Sequence, residues 1–117
     1  MDFHADPLPT ISVTQLAALM ADPPQDLQLI DVREPEEVAI AAIPGFEVLS
    51  LSQSAQWAEH ISQRLNPAAP TYVLCHHGMR SAQMCQWLRS QGFEHVTNIS
   101  GGIEAYSIAV DATVPRY

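Results

Sequence analysis

The sequence predicts a single α/β domain built on a mainly parallel sheet. Three observations carry that expectation. Short apolar runs of strand length recur along the chain, runs with helical spacing follow them, and Pro-, Gly- and Asn-containing stops separate the two kinds. At 117 residues and 47% hydrophobic content, the chain can bury one compact core but not two.

Taken in order, Ser12 is a good N-cap for a run in which Leu16, Leu19 and Met20 share one face and which ends before Asp22-Pro23-Pro24. Residues 27–30 are apolar, with no helical room before Asp31, and read as a buried strand. The 34–40 segment opens with acidic residues and Pro35, as a first helical turn does, and the Ile43-Pro44-Gly45 turn closes it. Val48-Leu49 offers a second strand. Trp57, Ile61 and Leu65 recur at helical spacing up to a stop at Asn66-Pro67. Residues 71–74 have the β-branched and aromatic character of a buried strand that runs into Cys75. The 80–90 run reads as a helix with Ala82, Cys85 and Leu88-Arg89 turned inward, ended by Gln91-Gly92. Residues 96–99 form a further strand, and Gly101-Gly102 opens a last helix through Tyr106. Residues 1–8 and 113–117 read as tails around a domain spanning 9–112.

Charge and composition narrow the function classes. Five arginines and no lysine stand against 13 acidic residues, for a net charge of −8. So acidic a surface repels nucleic acid and anionic membranes, and an anionic substrate must be drawn in by something local. The longest apolar stretches fall far short of the ~20 residues of a membrane span, and the acidic start Met1-Asp2-Phe3-His4 is not a signal peptide, so a cytoplasmic protein is expected. Two cysteines are too few for a disulfide framework, and their spacing matches no zinc pattern.

In parallel sheets, ligands sit beyond the carboxyl ends of strands, and Cys75 lies at such an end. The segment Cys75-His76-His77-Gly78-Met79-Arg80-Ser81 joins that strand to a helix, where backbone N–H groups and the helix dipole form an anion cradle that favours a thiolate. Gly78 supplies the positive φ of a tight loop, and Arg80 its fixed positive charge. Cys85, about two helical turns further on, lies on the order of 10 Å away, too far for a disulfide, and reads as core. His76 and His77 are expected to point apart on the loop surface, with no further metal ligand in sight. Asp31 and Arg33 read first as a cap and a surface ion pair with Glu34 or Glu37.

The loop resembles the active-site loop of rhodanese-family sulfurtransferases, which often reads Cys-x-x-Gly-x-Arg-Ser. Ile30-Asp31-Val32-Arg33-Glu34-Pro35-Glu36-Glu37 with Ile43-Pro44-Gly45 is similar to the family's first signature, and Ser100-Gly101-Gly102-Ile103-Glu104-Ala105-Tyr106 to its closing one. The three stand in the family's order and spacing. Departures are Ala42 where His is common before Ile-Pro-Gly, Tyr106 where Trp is frequent, and a less regular 46–54 segment.

The resemblance implies a rhodanese-like domain with a five-stranded, mainly parallel sheet flanked by helices on both faces. It implies Cys75 as the catalytic nucleophile, residues 76–81 as substrate-binding, and Asp31 and Arg33 as supports beside the loop. The implied chemistry is covalent and ping-pong: Cys75 takes the outer sulfur of a small anionic donor such as thiosulfate, holds it as a persulfide, and passes it to cyanide, a thiol or a protein. No metal or organic cofactor is implied. Two rivals come from other classes. A phosphatase or arsenate reductase shares the fold and a Cys–Arg loop, but its signature has one residue more than the four between Cys75 and Arg80. A non-enzymatic relay or binding module typically lacks the cysteine that this chain keeps.

Overall fold

The computed structural model describes residues 7–117. Five parallel strands form one sheet in the order β1-β5-β4-β2-β3. They are β1 (Thr10–Ile11), β2 (Gln28–Asp31), β3 (Glu47–Val48), β4 (Thr71–Leu74) and β5 (Val96–Ile99). The two-residue edge strand β1 is the one that residue pattern alone did not locate. It is held by its neighbour rather than by its own apolar content, with Thr10 opposite Asn98 and Ile11 opposite Ile99.

Alternation along the strands builds two cores, one on each side of the sheet. Ile30, Val73 and Val96 face Trp57, Ile61, Met84, Cys85 and Leu88. Leu29, Leu74 and Ile99 face Val13, Leu16, Ile43 and Ile103. The first face is therefore covered by α3 (Ser54–Trp57), α4 (Ile61–Arg64) and α5 (Met79–Ser90), and the second by α1 (Val13–Ala21) and α6 (Gly102–Ala109). Ser12 caps α1 through a reciprocal box with Gln15. The short α2 (Pro35–Ile40) begins with Pro35 at its first helical turn. Among the described residues, no helix is long and apolar enough to cross a membrane.

Three expectations change. The helix expected through Trp57, Ile61 and Leu65 is broken: α3 and α4 alternate with 3₁₀ turns at Leu51–Gln53 and Ala58–His60. All three side chains do reach the core, but the Trp57 indole N–H also donates to the Ser50 carbonyl at 3.1 Å, and the broken path accommodates both. In α5 the buried side chains are Ser81, Met84, Cys85 and Leu88, while Ala82 and Arg89 are only partly covered. Residues 113–117 do not behave as a tail. Val114 is buried, its carbonyl accepts from Ser107 Oγ, and Tyr117 reaches back to the loop after β4. The expected N-terminal tail lies mostly outside the described residues; within them, Leu8 packs on the first core.

Candidate active site

β4 is the central strand, so the chain leaving it at Cys75 emerges between the loops that follow β2 and β5. Those loops are tied together by backbone. The Val32 N–H donates to Leu74 O, Ile103 N–H to Cys75 O, and Glu104 N–H to His76 O, all at 3.0–3.1 Å. The last two bonds dock the first turn of α6 onto the loop. Gly102 makes that approach possible: with φ +60, a Cβ there would lie 2.4 Å from both the Cys75 and His76 carbonyl oxygens.

The loop then turns at Gly78 (φ +104), which is also the N-cap of α5. This turn brings the Gly78 N–H to within 3.0 Å of Cys75 Sγ, and the Ser81 hydroxyl to within 3.2 Å. The thiol is thus a buried atom, 1% exposed, that meets a backbone N–H, a hydroxyl oxygen and the positive end of a twelve-residue helix. Asn98 fixes both groups that face the sulfur, and sequence reasoning missed it. Its Nδ2 donates to Gly78 O at 3.0 Å, which leaves its Oδ1 to accept the single Ser81 hydroxyl proton at 2.5 Å, so that the Gly78 N–H is the donor to Sγ and the Ser81 oxygen packs beside it. The signal was available in the sequence, since Asn is depleted from strands and here sits inside one.

Cys85 is also buried, but among apolar neighbours, and burial pushes its thiol up to about 12. Both cysteines are free, and Cys85 is core, as expected.

The histidines correct the sequence reading. They do not point apart: their rings stack, with centroids 3.9 Å apart, and His76 is covered on its other side by Tyr117 at 4.0 Å. Backbone torsion in the tight loop overrides the alternation expected of adjacent residues. Burial, and then the neighbouring His77, lower the pKa of His76, whose Nε2 lacks a hydrogen-bond partner and lies 3.9 Å from a Glu104 carboxylate oxygen. His77 and Met79 are exposed. Among the described residues, no group of three or more His, Cys, Asp or Glu side chains is placed to hold a metal ion.

Asp31 and Arg33 are not a surface pair. Both are buried and pair with each other, Arg33 Nη2 lying 2.7 Å from Asp31 Oδ2 and Nε donating to the same carboxylate. The remaining Arg33 donors go to the carbonyls of Ala41 and Glu37 and to the Tyr117 hydroxyl. A charge this deep is retained only when its donors are satisfied, and here they are.

Arg80 is already engaged. Its two terminal nitrogens donate to the two Glu37 carboxylate oxygens at 2.6 and 3.0 Å, so the loop's fixed positive charge is held in a structural ion pair. Those bonds, chiefly, hold the Glu37 carboxyl down at about 2. Glu104 pairs instead with Arg116. The Tyr117 hydroxyl donates to Glu37 at 2.7 Å while accepting from Arg33, which links Asp31, Arg33, Tyr117, Glu37 and Arg80 into one chain along the rim of the loop.

Comparison with known proteins agrees with this architecture. Residues 12–109 match the family model described as Rhodanese-like domain. The chain is 50% identical over 114 residues to the Rhodanese-like/PpiC domain-containing protein 12, chloroplastic, of Arabidopsis thaliana, covering 96% of this chain but only 38% of that longer protein. It is 32% identical to the thiosulfate sulfurtransferase GlpE of Pseudoalteromonas translucida, covering 91% of this chain and 95% of that one. The crystal structure of a rhodanese-like domain protein from Staphylococcus aureus superposes with a TM-score of 0.73 over 85% of this chain and 91% of its own, at 24% identity, and shares the fold. With its parallel five-stranded sheet, its cysteine loop after the central strand and a family match over most of its length, the chain belongs to the rhodanese-like domain family.

Proposed function

We propose that this protein is a sulfurtransferase that carries sulfane sulfur as a persulfide on Cys75, taking it from a donor such as thiosulfate and passing it to cyanide, a thiol or an acceptor protein. The observation that carries this reading is the setting of Sγ: a thiol at a strand end, met by the Gly78 N–H and the Ser81 hydroxyl at the N-terminus of α5. Such a setting stabilises a thiolate, and then a terminal sulfur anion, without a proton acceptor of its own. The relative named a thiosulfate sulfurtransferase, aligned over 95% of its length, supports the same chemistry.

In this mechanism the thiolate attacks the donor's outer sulfur, the leaving group departs with the electron pair of the broken bond, and an acceptor later repeats the displacement on the terminal sulfur. Residues 76–81 frame the entry to Sγ, and Asp31 and Arg33 hold the neighbouring loop in place. The reaction as written uses no metal or organic cofactor. The net charge of −8 argues against nucleic-acid or membrane partners, and the two free cysteines fit a reducing, cytoplasm-like compartment.

Intact-mass measurement after incubation with thiosulfate tests the proposal. A gain of one sulfur, about 32 Da, that cyanide or dithiothreitol removes is the expected result. A protein that gains no sulfur from thiosulfate or from an organic persulfide would be a binding module instead.

A further inference from the structure

Resting on that reading, the charge arrangement around the loop carries a statement about the donor. Four of the five arginines are each paired with a carboxylate: Arg33 with Asp31, Arg64 with Glu47, Arg80 with Glu37 and Arg116 with Glu104. The fifth, Arg89, is in the last turn of α5, about 15 Å along the helix from its start. At the loop itself the single cation is therefore neutralised by a bidentate carboxylate. Arg80 is not at liberty to leave it, because Glu37 is held from the other side by the Tyr117 hydroxyl, which Arg33 orients in turn. A second carboxylate, Glu104, flanks His76. What remains for an anion at Sγ is the Gly78 N–H, the helix terminus and a neutral hydroxyl.

The two donor classes differ in the charge they bring to this place. With thiosulfate, Cys75–S⁻ + S–SO₃²⁻ gives Cys75–S–S⁻ + SO₃²⁻: the new S–S bond forms as the old one breaks, sulfite leaves with the bonding pair, and three negative charges are present throughout. With a protonated organic persulfide, Cys75–S⁻ + R–S–SH gives Cys75–S–SH + R–S⁻, and only one charge is present. A site whose arginine is cancelled, inside a protein of charge −8, opposes the first far more than the second.

We propose that Glu37 is a specificity-determining residue that, by neutralising Arg80, turns the loop away from dianionic donors such as thiosulfate and toward low-charge organic persulfides. Glu37 touches neither donor nor Sγ; it is a positioning residue that acts through Arg80.

The test compares thiosulfate with the persulfide of 2-mercaptoethanol, an uncharged donor in its protonated form, on wild type and Glu37→Gln. Glutamine keeps the shape: its one amide oxygen can still accept from the Glu34 N–H, while its Nε2 can donate to the Tyr117 hydroxyl oxygen. The expected result is a rise of about tenfold in kcat/KM for thiosulfate, mostly as a lower KM, with less than about a twofold change for the organic persulfide. Adding Arg80→Ala to Glu37→Gln should cancel the gain. Ionic strength supplies a reading on wild type alone, which decides the matter even if the variant folds poorly. Raising salt from about 20 to 200 mM should increase the wild-type efficiency with thiosulfate, because repulsion is screened, and should decrease it in Glu37→Gln, where an exposed Arg80 attracts. An unchanged thiosulfate KM in well-folded Glu37→Gln, or wild-type thiosulfate efficiency that falls with salt, overturns this assignment while leaving sulfur transfer intact. Failure of both donors to load sulfur onto Cys75 overturns the sulfurtransferase reading itself, and this inference with it.

Discussion

Cys75 and Cys85 are ten residues apart, both buried and packed into the same core, yet their polar surroundings differ. Around Cys85 the packing is mostly apolar, so ionising it means stripping water from a charge, a cost that the nearby Arg89 offsets only in part, and the thiol is pushed up to about 12. Around Cys75 the chain has just left a strand and is about to begin a helix, and that junction presents a backbone N–H and a hydroxyl to the sulfur. Burial alone thus does not decide what a thiol meets. What decides it is whether the burying element has unspent hydrogen-bond donors, and a helix has them at its first turn and lacks them in its middle.

Four experiments press on this contrast. The sharpest is exchange of the nucleophile. Cys75→Ser should fold as wild type and lose at least about a thousandfold in sulfur transfer, since a hydroxyl in the same cradle is a far weaker nucleophile; turnover within a few-fold of wild type would end the persulfide mechanism. Alkylation by iodoacetamide at pH 8 reads the same difference directly. With Cys85 at about 12, its thiolate fraction there is on the order of 10⁻⁴, and peptide mapping should find Cys75 modified at least about a hundredfold faster. Equal labelling of folded protein would show that the two surroundings are not distinct.

A smaller effect is expected from the residue that arms the cradle. Asn98→Ala removes the tie to the Gly78 carbonyl and the acceptor that fixes Ser81. The kcat for sulfur transfer should fall about tenfold, with the thermal midpoint lowered by several degrees; full activity would mean that the Gly78 N–H and Ser81 hold their places unaided. Least affected should be activity in Cys85→Ala, where a stability loss of about 1–2 kcal/mol by urea titration is expected beside unchanged kcat/KM.

How far the sequence led follows the same division between local and distant causes. The loop, its cysteine and the strands at 27–30, 71–74 and 96–99 were legible because each is marked by residues next to one another: an apolar run, then Cys, then Gly and Arg at short spacing. Arg33 was misplaced because a charge in sequence reads as surface, and only the fold supplies the carboxylate, two carbonyls and tyrosine hydroxyl that let it be buried. The partner of Arg80 lies 43 residues away, and Tyr117 meets Glu37 across 80. No spacing rule reaches that far. Residues 113–117 looked like a tail because they are short and polar at the end; their docking depends on a ring stacking on His76 and on one buried valine.

The placement of Cys75 on the central strand also bears on how the molecule breathes. β4 is bonded along its length to β2 and β5 and covered by helices on both faces, so it belongs to the part of the protein that opens last, at close to the full cost of unfolding. The rim is different in kind: Glu37, Arg80, His77 and Tyr117 are partly exposed or exposed side chains, held by ion pairing, hydrogen bonds and ring stacking rather than by a backbone ladder. Amide exchange should accordingly be slowest through Val73 and Leu74 and markedly faster in residues 113–117. A group carried on Sγ would thus be anchored at the end of the central strand and face solvent through a rim of side chains, so its release can be governed by small local rearrangements that leave the anchor still.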